Sequence, residues 1–428
     1  MCFLCERAAA QRLGLIGQAS VSAGLALSTD PVPTQVLISN VAAELSQQLV
    51  RADGVMDLYL HTPGGAIEVS GGGFGAQTIQ SLPITALDQD YIQSIVNQLD
   101  SIINLDFAFA GRAAQADTAF YYDQDIEVGV GGSGETLGLA VYGSVGWELF
   151  VNYPAVVDNW DYRQYVILHE WGHSLGLEHP FEAADGDTYK NNTDPWTSAY
   201  PEQTVMAYRS PEFGDWPDFF SISDLNALIE IWGAERQRLS SGNDTKNGGN
   251  YSELINGIGG EDTIRAMGGN DTVNGGNGAD WINGNWGQDM IYGDLGDDFL
   301  LGGRNQDLVQ GGDGNDWVNG NRGSDLVFGG YGDDTVRGGQ DDDIIDGGEG
   351  NDQYWGDLGA DQFRHSGGID EVMDFDFGSG DRIAIKEGLG YDIYANESNV
   401  QIVSSMGTMI LLNASEQVFD FGRAVTAI

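Results

Sequence analysis

Cysteine is almost absent: Cys2 and Cys5 are the two in 428 residues. Lying together at the extreme N-terminus, they cannot staple a fold, so a disulfide framework is excluded. They read as unstructured terminal thiols, or as half a metal site or an inhibitory thiolate. Basic residues are few, with 18 Lys and Arg against 65 Asp and Glu, a formal charge of −47 at pH 7. A chain so acidic repels nucleic acid and anionic membrane surfaces, which argues against both as partners. Long apolar runs are missing too, and none approaches the ~18 residues of a membrane span. The mildly apolar stretch Leu13–Ser28 is broken by Gln18 and Ser20 and has poor flanks for an N-terminal export signal.

What is present is enough to bury more than one core. The chain is 41% hydrophobic, with 17 Tyr, 17 Phe and 10 Trp, and its length predicts two or more domains. The acidity calls for something that neutralises carboxylates, most simply bound divalent cations. It is concentrated: residues 241–380 hold 28 Asp and Glu, 6 Lys and Arg, and 36 of the 63 glycines. Residues 1–54 read as a weakly helical leader or pro-segment, broken by Pro31 and Pro33. Residues 55–240 follow with mixed patterning. Alternation from Met56 predicts a strand, apolar spacing over Asp90–Ile103 a helix, and "TAFYYD" and "GLAVYG" further strands.

Three of the five histidines fall within eleven residues, at His169, His173 and His179. On a helix, His169 and His173 at i and i+4 share one face and can hold one metal ion. Gly176 permits a sharp turn that swings His179 back as a third ligand. Three imidazoles with an open fourth position make a catalytic rather than a structural zinc arrangement. Glu170, beside them, is placed to take a proton from a metal-bound water.

The run His169-Glu170-Trp171-Gly172-His173-Ser174-Leu175-Gly176-Leu177-Glu178-His179-Pro180 resembles the metzincin metalloproteases, and Pro180 resembles the serralysin branch. The resemblance implies a downstream Met-turn, which "TVMAYRS" matches with Met206 and Tyr208. It implies that Tyr208 is a switchable zinc ligand that stabilises the oxyanion. The segment "SISDLNALIEIWG" is similar to the helix that closes the family's catalytic domain.

A second pattern fills residues 241–380. Aspartate recurs every ninth residue at Asp262, Asp271, Asp280, Asp289, Asp298, Asp307, Asp316, Asp325, Asp334, Asp343, Asp352, Asp361 and Asp370. An apolar residue stands two places after each, from Ile264 to Val372. With a local Asp frequency near one in five, chance gives that register at ~10⁻⁹, so it is a true repeat. Glycines before each Asp allow turns with positive φ, and the Asp supplies a hard oxygen suited to calcium. Two nonapeptides make one coil, so each edge of the roll repeats at eighteen residues. The edges differ, because Asn305 and Asp341 replace a glycine on the edge opposite Asp280, Asp316, Asp334 and Asp352. Upstream, Asp244 and Glu253 keep the period, but Lys246 takes an apolar position. The consensus is identified with the calcium-binding nonapeptide of RTX proteins.

Residues 381–428 are expected to supply antiparallel strands that cap the roll. The ending "EQVFDFGRAVTAI" resembles an uncleaved C-terminal signal for ABC-type (type I) export. The expectation is therefore a multidomain α+β chain: a zincin-like (metzincin) catalytic domain, then a parallel β-roll with an antiparallel β cap. Its cofactors would be one catalytic Zn²⁺ and several structural Ca²⁺. Its partners would be protein or peptide substrates and an ABC exporter, and the chain is expected to be a monomer. The function implied is a secreted endopeptidase. The rival reading is a calcium-stiffened surface or matrix protein with a vestigial protease domain.

Overall fold

The computed structural model describes residues 32–50, 54–70, 75–124, 126, 137–144, 146–180, 199, 201, 203–207, 211, 216–386, 388–395, 398–414 and 424–427. They fall into two compact units, Met1–Glu235 and Arg236–Ile428, dividing slightly ahead of the change in composition. Cys2, Cys5 and Tyr208 lie outside the described residues. Among the described residues no helix is long and apolar enough to cross a membrane.

The first unit is an α/β layer structure. Strand β1 (Val55–Leu60) and β4 (Asp106–Phe109) run parallel, and β1 also pairs with β5 (Thr118–Asp123). The hairpin of β2 (Gly65–Val69) and β3 (Gln77–Leu82) joins the far end of β5. On its other side β5 pairs in parallel with β7 (Gly146–Asn152), which carries the antiparallel β6 (Gly138–Gly143). The strand expected from Met56 is β1. The helix expected at Asp90–Ile103 begins and ends earlier, as α2 (Ala86–Leu99). Thr85 sets that start by accepting from Asp88 N at 3.2 Å, a side-chain cap that apolar spacing does not reveal.

Short α3 (Tyr153–Val156) leads to α4 (Trp160–Leu175), capped by Asn159. Helix α4 is buried from Arg163 to Gly172, and Trp171 meets Phe107 and Phe120 edge-on, at ring distances of 6.0 and 5.4 Å. These contacts pack α4 on β4 and β5. Helix α5 (Ile222–Trp232) opens with a capping box between Ser221 and Asp224.

Part of the expected leader is built into this unit. Helix α1 (Asn40–Leu49) buries Ser46, whose hydroxyl donates to Ser174 O at 2.7 Å and accepts from Trp147 Nε1 at 2.8 Å. Ser39 N donates to Gly176 O and Glu178 N to Leu37 O, both at 2.8 Å. Removing residues 32–50 would strip partners from the turn that follows α4.

The second unit is a parallel β-solenoid. Strands pair with those eighteen residues away, as in Val309↔Val327 on one sheet and Leu300↔Val318 on the other. The apolar position of every repeat from Ile264 to Val372 is fully buried between the two sheets. At Lys246 the column is interrupted by a charge that lies 3.8 Å from Glu253.

The end of the roll corrects one expectation. "RIAI" is not part of an antiparallel cap: Arg382–Ile385 continues a parallel sheet beside Gln362–Arg364, and Val425–Ala427 follows it. The three strands Tyr391–Ala395, Val400–Ser404 and Gly407–Leu411 do form an antiparallel meander. It joins the roll through parallel pairing of Gly368–Val372 with Gly407–Leu411. Most of the C-terminal segment read as an export signal, residues 416–423 and 428, lies outside the described residues.

Candidate metal centres

The first centre is set by the end of α4. Gly176 adopts φ 106°, and its N–H and that of Leu177 close back on α4, the second to Gly172 O at 2.9 Å. This left-handed ending reverses the chain, and His179 returns to His169 and His173, with one nitrogen of each within 4.8 Å of the others. All three lie on a buried or half-buried surface. His169 Nδ1 stands 2.8 Å from Val205 O and His173 Nδ1 stands 3.0 Å from Leu177 O. Carbonyls only accept, so both Nδ1 atoms carry the proton and both Nε2 atoms present lone pairs. His169 Nε2 is 3.1 Å from His179 Nε2. Converging imidazole nitrogens, with His169 and His173 oriented through their other nitrogens, suit a zinc ion.

Glu170 is 1% exposed. Gly138, at the start of β6, lies against it: a Cβ there would come 2.7 Å from Glu170 Cγ. Only glycine leaves that approach to the carboxylate open. Met206 is fully buried, with Sδ 2.7 Å from where a Cβ on Gly172 would stand, so it packs on α4 between the first two histidines in sequence.

Sequence reasoning missed the support behind this turn. Asp224 Oδ2 accepts from Val205 N and from Ser221 N, both at 2.9 Å. Thr204 Oγ1 donates to Asp224 Oδ1 and accepts from Met206 N at 3.0 Å. Tyr165 OH donates to Ala207 O. Burial pushes Asp224 above the usual carboxylate range, opposed by the hydrogen bonds from Thr204, Ser221 and Val205. The only local signal for this role was Ser221 three residues before Asp224, the mark of a capped helix.

The second set of centres runs along both edges of the roll. Each repeat aspartate from Asp262 to Asp352 is held through Oδ1 by the backbone N–H eighteen residues upstream, for example Asp298 N to Asp316 Oδ1 at 2.8 Å. The last bond of that edge, Asp352 N to Asp370 Oδ1, stretches to 3.3 Å. In twelve of the thirteen, all but Asp361, the other oxygen Oδ2 is buried with no hydrogen-bond partner among the described residues. A buried carboxylate oxygen left unsatisfied is costly, and a file of them fits a file of calcium ions. Burial pushes Asp280, Asp289, Asp316 and Asp352 up to about 6 and Asp298, Asp325 and Asp361 to about 7. It pushes Asp307, Asp334, Asp343 and Asp370 to about 8 and Asp271 to about 9, with neighbouring carboxylates adding to the rise.

The repeat glycines are needed for close approach. At Gly314 and Gly350, with φ near 149° and 147°, an added Cβ would run into a backbone carbonyl of the preceding coil. Asn305 and Asp341 meet the same demand at φ 76° and 75°, the narrower left-handed region open to Asn and Asp. Asp381 also belongs to the file, accepting from Asp361 N at 3.0 Å. It stands twenty residues on rather than eighteen, so a strict nine-residue count passes over it.

Comparison with known families matches the repeat segment to the RTX calcium-binding nonapeptide repeat, over residues 247–282, 256–291, 266–300, 292–327 and 328–363. The solenoid is therefore an RTX calcium-binding β-roll. No curated protein matches the chain. Among solved structures, an extracellular lipase, LipA from Serratia marcescens, is 16% identical with a TM-score of 0.18. That match covers 46% of this chain and 41% of the lipase, so the chain spans about two fifths of it. Likeness at that level carries no argument about activity.

Proposed function

We propose that the chain is a zinc-dependent endopeptidase of the metzincin type, carried outside the cell with a calcium-loaded roll. The observation that carries the reading is the convergence of His169, His173 and His179 beside Glu170, with Met206 packed behind them. A zinc ion held there would acidify a bound water and polarise a scissile carbonyl. Glu170 would serve there as the general base and then as the proton donor to the leaving amine. Tyr208, two residues after Met206, donates to the developing oxyanion. An extended substrate would pair with β6, which among the described residues pairs only with β7 and begins at Gly138, beside the Glu170 carboxylate. RTX repeats are typical of proteins exported by the type I route, which supports an extracellular site of action.

The test is casein hydrolysis by the full-length chain before chelation, after removal of zinc, and after zinc is restored. Activity lost and regained in step with zinc supports the reading. A zinc-loaded, folded chain that leaves casein intact overturns it.

A further inference from the structure

The peptide between Val205 and Met206 links two side chains that are far apart in sequence. Its carbonyl accepts from His169 Nδ1 at 2.8 Å, and its N–H donates to Thr204 Oγ1 at 3.0 Å. The Thr204 hydroxyl accepts from Met206 N and gives its one proton to Asp224 Oδ1, because a carboxylate only accepts. Asp224, Thr204, Val205 and Met206 all have 0% exposure. The result is one unbroken chain: carboxylate, hydroxyl, peptide unit, imidazole.

We propose that Asp224 is a positioning residue for His169, acting through Thr204 and the Val205–Met206 peptide to fix its Nδ1–H tautomer and strengthen Nε2 as a metal ligand. The inference rests on reading His169 as a zinc ligand.

Each link polarises the next. A carboxylate drawing on the Thr204 proton makes Oγ1 a better acceptor for Met206 N–H. Conjugation within the peptide then makes Val205 O more negative, and a stronger acceptor for His169 Nδ1–H. Carboxylates that touch a metal-bound histidine directly raise its basicity and fix its ring. Here a peptide and a hydroxyl stand between them, and the low dielectric of the site preserves the effect. Asp224 Oδ2 separately holds Val205 N, so the carbonyl facing His169 is also fixed in place.

The competing role for Asp224 is structural alone, as the partner in the capping box of α5. Thr204→Val separates the two. It cuts the relay, yet leaves the Ser221 bonds and the bond from Val205 N to Asp224. Two readouts serve on the full-length protein: nitrogen NMR of the His169 imidazole without metal, and zinc affinity by chelator competition. In Thr204→Val the His169 Nδ1 proton should shift upfield, its bond to Val205 O weakened, and zinc should bind about tenfold or more weakly. Thr204→Ser, which keeps the hydroxyl, should restore both. An unchanged Nδ1 proton shift and unchanged zinc affinity in folded Thr204→Val overturn the proposal. Should that variant not fold, Asp224→Asn keeps an oxygen for Val205 N while removing the charge. Its His169 Nδ1 proton should shift upfield and zinc should bind more weakly; values equal to the wild type overturn the proposal. A wild type that binds no zinc, yet keeps a His169 Nδ1 proton shift sensitive to Thr204, instead defeats the protease reading and leaves the relay standing.

Discussion

At Glu170 a buried carboxylate sits on the same helix as two imidazoles, with glycine cleared in front of it. Binding and chemistry should therefore separate by mutation. Glu170→Gln should keep zinc, because the three imidazoles remain, whereas His179→Ala should lose it at moderate chelator concentration. Metal analysis of the two purified variants checks this, and zinc lost equally from both would count against the division of roles. The repeat aspartates give a second expectation at this scale. Their carboxyls hold protons more tightly in the folded roll than the usual value near 3.8, up to about 6 at Asp280 and about 9 at Asp271. A raised folded value contributes stability that is full below about pH 4 and fades as pH rises through about 6 to 9. In chelator, then, the full-length chain should show more β-structure by circular dichroism at about pH 5 than at about pH 8. Calcium competes for the same oxygens, so its apparent affinity should fall over that interval as pH is lowered.

The element that repeats is a coil of eighteen residues, and its thin core holds one apolar side chain per strand. Leu300 is fully buried in that column. Leu300→Ala should cost ~2–5 kcal/mol in the calcium-loaded roll, since neighbours fixed by parallel pairing cannot close the cavity. Urea denaturation in calcium measures it, and a loss under about 0.5 kcal/mol would show that the column is not close-packed. Much of this was legible in the sequence because a strict period ties turn glycine, ligand and core residue to fixed offsets. The His169–His179 turn was legible for a like reason: helix spacing and Gly176 suffice to bring the imidazoles together. Other features were not. Asp381 hides behind a two-residue insertion, and α2 starts where Thr85 caps it. The Asp224–Thr204 relay joins residues twenty apart through backbone groups that no side-chain pattern marks. The integration of α1 depends on Ser46, a small polar residue whose partners Trp147 and Ser174 lie about a hundred residues away or more.

For the whole molecule, a charge of −47 must be held in a compact form, and most of the repeat carboxylates point an unsatisfied oxygen inward. Without cation, repulsion and chain entropy together exceed what one apolar side chain per strand returns. Extracellular calcium modules bind at ~10⁻⁴ to 10⁻³ M, so the roll should be unfolded at cytosolic calcium and fold outside. A calcium titration of the full-length chain should show β-structure growing over that range, and a full signal in excess chelator at neutral pH would contradict it. The edge whose turns before Asp280, Asp316, Asp334 and Asp352 keep all three glycines should fill before the edge carrying Asn305 and Asp341. Peptide-bond cleavage itself bears most directly on what the molecule is for. Casein can be incubated with zinc- and calcium-loaded full-length chain, beside Glu170→Gln, and the fragments sequenced by mass spectrometry. The expected result is internal cleavage by the wild type, reduced ~10²–10⁴-fold in the variant. Intact casein with the wild type, or equal cleavage by both, would contradict a metalloendopeptidase built on His169, Glu170, His173 and His179.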